Sequence, residues 1–507
     1  MIKSYLKTNT PLILILICSL TISAISIFYR GDFTFDEMFS THYSLLPWVD
    51  AIKYWVMETN PPLHTLLLRG WLAIFGNTEI ISRSLSVIFS AGSIILLYTF
   101  ARNFLSQKHA VLSSSILIFS SSFIHLSTEA RSYSLFLFLT IASFYLFYSI
   151  FFDNKKSTGR TILYIIVQTL LLFTHLTAVL IPVIQLGGLI LKDEKRKNNI
   201  INFFITHIAP GILFLIWFVP SFLSKLGSNA SSGWFFKEAK YGKNILTGLI
   251  PLFVESPQNV IGLIISLGLL GILVYTIFHI YKKRETDHIL SIIFLWTIVP
   301  IIIASLFGIY ISKYITFCLP GFAILIAHAV AQLKDKRMYY VTILLIASIL
   351  IPSAFSYAST PLKSWKEITK FISENETQNS KIFSVPFNQE LVINKYYHGT
   401  SPVVGIYPRE DSMNLDERMV RYNWQEIEVT RPDFEKYMRN TIGDADKIFF
   451  LQYTSNIVAP PVPRWFIQND WVLTDYLKSK YDMDPYVFEF TKTNSATTST
   501  LELEANR

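Results

Sequence analysis

Charge is what this 507-residue sequence has least of. Lys, Arg, Asp and Glu make up 16% of it, where an ordinary soluble chain carries about a quarter. With 51% hydrophobic residues and a mean hydropathy of +0.40, that shortfall excludes a typical soluble globular protein. Cysteine is scarce too. Cys18 and Cys318 lie far apart inside apolar runs, so they read as small buried hydrophobes, not as a disulfide or metal site. There is no Walker-type phosphate loop, no dinucleotide-binding glycine run and no zinc-ligand spacing, so nucleotide-dependent chemistry has no visible home. Internal repeats and low-complexity linkers are also missing. The last dozen residues, rich in Thr, Ser and Glu, read as a frayed end.

Long apolar runs take the place of charge. About twenty such residues in a helix cross a bilayer core of ~30 Å. Runs of this kind fall at 11–29, 84–104, 109–127, 132–152, 161–175, 177–191, 200–222, 259–281, 288–309, 314–333 and 339–357, which predicts about eleven transmembrane helices. The first follows Lys3 and Lys7 but lacks a small-x-small cleavage site, so it reads as an uncleaved helix and not as a signal peptide.

The formal charge of +8 is not a nucleic-acid footprint. From residue 360 onward there are 17 basic and 21 acidic residues, which leaves 27 basic and 15 acidic residues in the apolar part. Those basic residues cluster in short connections: Lys3/Lys7, Arg102/Lys108, Lys155/Lys156/Arg160, Lys192/Lys195/Arg196/Lys197, Lys282/Lys283/Arg284 and Lys334/Lys336/Arg337. Threading the runs alternately puts all of these on one face, which makes that face cytoplasmic. The expected arrangement is a multi-pass protein of the plasma (inner) membrane with a cytoplasmic N-terminus. An odd number of spans then leaves the tail outside.

The domain reading follows. Residues 1–358 form the membrane domain, with a long first outer loop over 31–83 and a second outer loop over 223–258 containing Trp234. Residues 359–507 form an extracytoplasmic α/β domain, with strands at Ile382–Val385, Val403–Ile406, Lys447–Gln452 and Tyr486–Phe490, and helices at Trp365–Glu374 and Gln389–Tyr397.

Ionisable residues at a membrane edge are costly unless something uses them. Asp36 and Glu37 follow the first run in Gly31-Asp32-Phe33-Thr34-Phe35-Asp36-Glu37. A carboxylate between Phe35 and Met38 is a candidate general base, its basicity raised by partial desolvation; a solvated loop acid is the plain alternative. Glu129 and Arg131 sit in a tight hairpin between two runs, Glu129-Ala130-Arg131-Ser132-Tyr133-Ser134-Leu135. Arg131 has the planar fork that grips a phosphate, and pairing with Glu129 to close the turn is the alternative. Lys313 and Tyr314 open the tenth run, where an outward-side lysine either meets an anion or snorkels. His175, at an outer helix end, reads more readily as a hydrogen-bonded structural residue than as a catalyst. All of these clusters share the outer face, opposite the compartment that holds nucleotide sugars and ATP.

These residues form a recognisable series. Asp36-Glu37 is followed by Asn60-Pro61-Pro62-Leu63-His64, a run through Trp71 to Phe75-Gly76, then Glu79 and Arg83-Ser84, and then Ser127-Thr128-Glu129-Ala130-Arg131-Ser132-Tyr133-Ser134-Leu135. The series resembles the bacterial branch of the protein O-mannosyltransferase and aminoarabinose-transferase superfamily, the type C membrane glycosyltransferases. Lys313-Tyr314 with Pro320 resembles the family's later Arg-Tyr…Pro element, with Lys in place of Arg. The tail from Trp365 resembles the external domain that many bacterial members carry.

The resemblance implies the type C glycosyltransferase fold and a polyprenyl-monophosphate sugar donor that enters laterally from the bilayer. The acceptor would be a lipid, a glycan or a protein. Asp36 would be the base that activates the acceptor hydroxyl, with Glu37 orienting either Asp36 or the acceptor. Arg131 and Lys313, with Tyr133 and Tyr314, would hold the lipid phosphate, although Lys313 loses the bidentate geometry of Arg. Glu58, His64, Arg83, Glu129 and His175 join the substrate-binding set on the same ground. No cofactor is obligatory in this scheme, and a divalent cation at Asp36, Glu37 or Glu58 stays open. Two other readings compete. A lipid-linked sugar flippase would grip phosphate too, but would show functional polar residues along its spans. A polymerase or ligase with a diphosphate-linked donor would place its large outer loop late, and here it comes first.

Overall fold

The computed structural model describes residues 2–58, 60–153, 156–191, 196–225, 245–255, 259–282, 288–306, 311–361, 364–407, 414–422, 432–452, 462–477 and 486–493. Trp234, the basic residues Lys155, Lys192, Lys195, Lys283 and Arg284, and the final dozen residues lie outside the described residues. The chain divides into two compact units, Met1–Arg30 with Ser40–Thr360, and Gly31–Phe39 with Pro361–Arg507.

The first unit is helical. Its elements include α1 (Ile2–Arg30), α3 (Trp48–Met57), α4 (Leu63–Phe75), α5 (Glu79–Ala101), α6 (Gln107–Ile118), α7 (Ser121–Ser127), α8 (Tyr133–Phe151), α9 (Thr158–Leu172), α10 (Leu180–Leu191), α11 (Arg196–Lys225), α12 (Asn259–Lys282), α13 (His288–Leu306), α14 (Leu319–Ala331) and α15 (Lys336–Ala358), with short helices at Ile245–Phe253 and Ser312–Ile315. Helix α2 (Phe35–Leu45) starts on the segment that belongs to the second unit.

Its polarity is inside out. Large apolar side chains such as Leu14, Ile88, Ile216, Val274 and Leu344 are exposed, while Ser19, Ser23, Ser26, Ser82, Ser86, Ser90 and Ser93 are buried. Lipid tails offer no hydrophobic penalty to the first set, and small residues let helices approach closely. A Cβ on Gly92 of α5 would sit 2.7 Å from the Phe138 ring of α8, so any larger residue there would have to push that ring aside. Deep in the bundle, Gln185 of α10 accepts from Tyr164 (2.6 Å) and Gln168 (2.8 Å) of α9 and donates to Ser143 of α8 (2.7 Å).

Among the described residues, eight helices are long and apolar enough to cross a membrane. A ninth arises if α6 and α7, bent by 69°, count as one broken span. The bend falls where three serines redirect their hydroxyls: Ser120 to the Ile116 carbonyl, Ser121 to that of Phe253 and Ser122 to that of Pro251. The apolar runs at 161–175 and 177–191 appear as the shorter helices Thr158–Leu172 and Leu176–Leu191, so the full count of eleven is not reached by length and composition.

The second unit contains a five-stranded sheet in the order β2-β1-β3-β5-β4, from β1 (Ser380–Val385), β2 (Val403–Gly405), β3 (Lys447–Gln452), β4 (Trp471–Leu477) and β5 (Tyr486–Lys492). β1 runs parallel to β2 and β3; β5 is antiparallel to β3 and β4. Helices α16 (Trp365–Asn375), α17 (Glu390–Tyr396), α18 (Leu415–Tyr422), α19 (Pro432–Ile442) and α20 (Val462–Gln468) accompany it. Phe383, Val385, Phe450 and Phe490 form a core with Phe434 and Met438 of α19 and Phe466 of α20. The four expected strands and two expected helices are all present. The sequence reading missed β4, an edge strand whose middle is exposed and whose apolar pattern is correspondingly weak.

Candidate active site

The acidic segment leaves α1 through Gly31, whose φ of +68° suits glycine. Thr34 and Glu37 then form a reciprocal cap on α2. The Thr34 N–H donates to Glu37 Oε2 at 3.0 Å, and the Glu37 N–H donates to Thr34 Oγ1 at 3.3 Å. This is the Thr-x-x-Glu capping box, which satisfies two backbone donors at a helix start. The pair expected to share chemistry is therefore divided. Glu37 is 0% exposed and builds the helix start, while Asp36 is half-buried in the same first turn.

The remaining candidates belong to the first unit. Arg131 follows a turn closed by its own N–H to the Glu129 carbonyl (2.8 Å), which also accepts from Ser86 Oγ (2.6 Å). Its guanidinium donates to Ser40 Oγ at 2.9 Å. The Lys313 ammonium lies 5.9 Å from the Tyr133 ring centroid and 5.8 Å from that of Tyr314, within reach of a cation–π interaction. His175 packs against Tyr133 at 5.7 Å, Tyr314 at 5.4 Å and, stacked, Phe136 at 5.4 Å. The start of α4 is tied to the same corner, since the Leu63 N–H donates to the Phe173 carbonyl.

His64 and His175 both feel the charge of Arg131. Burial, then Arg131, lowers the His64 imidazole to about 3, with Glu129 pulling the other way. Burial, then Arg131 and Lys313, likewise lowers His175, in the corner between α9 and α10, to about 3. Both rings are neutral near pH 7, so the positive charge stays on Arg131 and Lys313. His175 Nδ1 accepts from the Thr177 N–H at 3.2 Å, so the histidine also caps the turn after it, as the structural reading expects.

Glu129 has a partner that sequence reasoning missed. Tyr357 Oη lies 2.7 Å and Arg30 Nη2 3.2 Å from His125 Nδ1. Two donors at Nδ1 place the ring proton on Nε2, which lies 3.2 Å from Glu129 Oε2. Burial acts to raise the Glu129 carboxyl, yet His125, Lys313 and Arg30 outweigh it and leave it lowered. A histidine four residues before an acid was the available signal. Glu58 accepts from the Asn60 amide at 3.1 Å, and Arg83 is fully buried in α5.

Comparison with known proteins gives these features a setting. Residues 59–223 match the family model for dolichyl-phosphate-mannose-protein mannosyltransferase. That stretch contains His64, Arg83, Glu129, Arg131 and His175, and it begins after Asp36 and ends before Lys313. ArnT from Cupriavidus metallidurans, in a structure bound to undecaprenyl phosphate, superposes with a TM-score of 0.59 at 13% identity, over 95% of this chain and 98% of that one. AglB, the archaeal oligosaccharyltransferase of Archaeoglobus fulgidus, in complex with an inhibitory peptide and a dolichol-phosphate, superposes with a TM-score of 0.55 at 11% identity, over 88% of this chain and 70% of that one. The chain has the type C glycosyltransferase fold. The resemblance drawn from the motif series is borne out by both comparisons. No curated protein matches the sequence itself.

Proposed function

We propose that the protein is a membrane glycosyltransferase that moves a sugar from a polyprenyl-monophosphate donor to a lipid, glycan or protein acceptor on the extracytoplasmic face, with inversion. The observation that carries this reading is the cationic focus of Arg131 and Lys313, walled by Tyr133 and Tyr314 and flanked by two neutral histidines. It is built on a fold whose solved example ArnT is bound to undecaprenyl phosphate. Arg131 and Lys313 bind the phosphate and stabilise the charge that builds on it as the glycosidic bond breaks. Asp36 takes the proton of the acceptor hydroxyl as that oxygen attacks the anomeric carbon. The basic connections face the cytoplasm of a plasma (inner) membrane protein, and the second unit lies outside. No metal is obligatory in this scheme, so turnover should survive chelation of divalent cations.

The test is an assay of sugar release from a panel of polyprenyl-monophosphate donors by protein purified with native lipid, with and without EDTA. Consumption of one donor, unchanged by EDTA, is the expected result. If only diphosphate-linked donors are consumed, the polymerase or ligase reading replaces this one; donor translocation without bond cleavage would favour the flippase.

A further inference from the structure

The second unit unites two stretches that lie more than three hundred residues apart, Gly31–Phe39 and the C-terminal domain. The join is specific. Asp32 Oδ2 accepts from the Lys366 N–H at 2.8 Å, and Asp32 Oδ1 meets the Lys366 ammonium at 2.7 Å. Lys366 is the second residue of α16, whose own N-cap residue, Ser364, makes no side-chain cap to the backbone. Asp32 thus supplies the capping carboxylate from a remote part of the chain, where the helix dipole favours a negative charge. A second bond follows at once, as the Phe33 N–H donates to Tyr396 Oη at 2.8 Å, the last residue of α17. The Lys366 ammonium lies 5.4 Å from the Tyr396 ring, which links the two anchor points. Asp32 is 4% and Phe33 0% exposed, so the two backbone N–H bonds are sheltered from competing water.

From Phe33 the chain runs directly into the Thr34–Glu37 cap and Asp36. Three residues separate the Asp32 anchor from the candidate base, too few for slack once the α2 cap is formed.

We propose that the C-terminal domain acts as an anchor for the acidic segment, with Asp32, Lys366 and Tyr396 as positioning residues that set where Asp36 presents its carboxylate. The inference rests on Asp36 being the base. It gives the domain a part in the reaction that needs no acceptor contact of its own. A carboxylate held on a loosened segment spends less time in attack geometry, and misplacement of about 1 Å can cost a hundredfold in rate.

The experiment uses full-length protein in native lipid, with kcat, donor KM, donor binding and the folded fraction measured for the wild type, Asp32→Ala, Asp32→Asn, Lys366→Met, Tyr396→Phe and Asp36→Asn. Asp32→Ala is expected to lower kcat at least tenfold while donor KM and binding stay within twofold. Asp32→Asn, which keeps a neutral acceptor for the Lys366 N–H, should recover part of that loss. Lys366→Met and Tyr396→Phe should each lower kcat a few-fold. Should Asp32→Ala fail to fold, the last two variants carry the test, since Lys366 is largely exposed. Wild-type kcat in folded Asp32→Ala, or in both Lys366→Met and Tyr396→Phe, overturns the anchor, as does an equal loss of donor binding. Asp36→Asn separates the two claims. If it retains activity, the base assignment fails; if it is inactive while the anchor variants are unaffected, only the anchor fails.

Discussion

The two units solve the problem of apolar side chains in opposite ways. In the second unit apolar residues are drawn into a core between sheet and helices, and among the described residues only Ile467 and Tyr476 are large hydrophobics left exposed there. In the first unit dozens are exposed on the helix surfaces, while hydroxyls and amides turn inward. The charge balance follows the same division, basic in the helical part and acidic in the tail. One chain therefore carries two solvents' worth of folding rules. The segment Gly31–Phe39 departs from its neighbours in sequence, since it directly follows α1 yet belongs with the tail.

A pair of substitutions breaks this comparison most sharply. Ile216→Arg on the outer surface of α11 should destabilise the protein in bilayers by about 3 kcal/mol. Ile467→Arg on the second unit should stay within about 0.5 kcal/mol. Unfolding measured in lipid vesicles would show both, and similar costs would mean that α11 does not face lipid.

Next in size is the cationic focus. Arg131→Ala should cut kcat/KM for the donor about a hundredfold, the worth of one charge-assisted contact to phosphate. Lys313→Arg restores a bidentate fork and should hold or improve donor binding. Steady-state kinetics on both variants would sharpen the site, and unchanged kinetics in Arg131→Ala would remove it.

A third effect concerns acid. His64 and His175 have folded values near 3 against an ordinary 6.5, so below 6.5 the unfolded chain takes up protons that the folded one refuses. Stability should therefore be complete above 6.5 and fall as pH drops toward 3, by roughly 1 kcal/mol per pH unit for each histidine. His64→Gln should flatten that slope; an unchanged slope would contradict the burial argument. The smallest effect belongs to the amide network: Gln185→Leu should cost about 1 kcal/mol, because membrane hydrogen bonds exchange partners readily.

Much of this was legible in the sequence, for identifiable reasons. Helices in lipid must be long and apolar, so the runs declared themselves, and β1, β2, β3 and β5 carried strong apolar patterns. The broken span was hidden because the serines at 120–122 mark a bend only through the carbonyls they reach. The division of Asp36 from Glu37 was readable in principle, since Thr34 stands three residues before Glu37, but chemistry drew attention to the acids and away from the cap. The Asp32–Lys366 and His125–Glu129 pairings were of different kinds. The second spans one helical turn and was findable; the first joins stretches 334 residues apart, and no local pattern announces it.

The most direct test of the central claim is transfer by Asp36→Asn. With a donor that the wild type consumes, this variant should bind donor with unchanged affinity and lose at least a thousandfold in kcat. Transfer at the wild-type rate would contradict the account, because the acceptor's proton would then need another base.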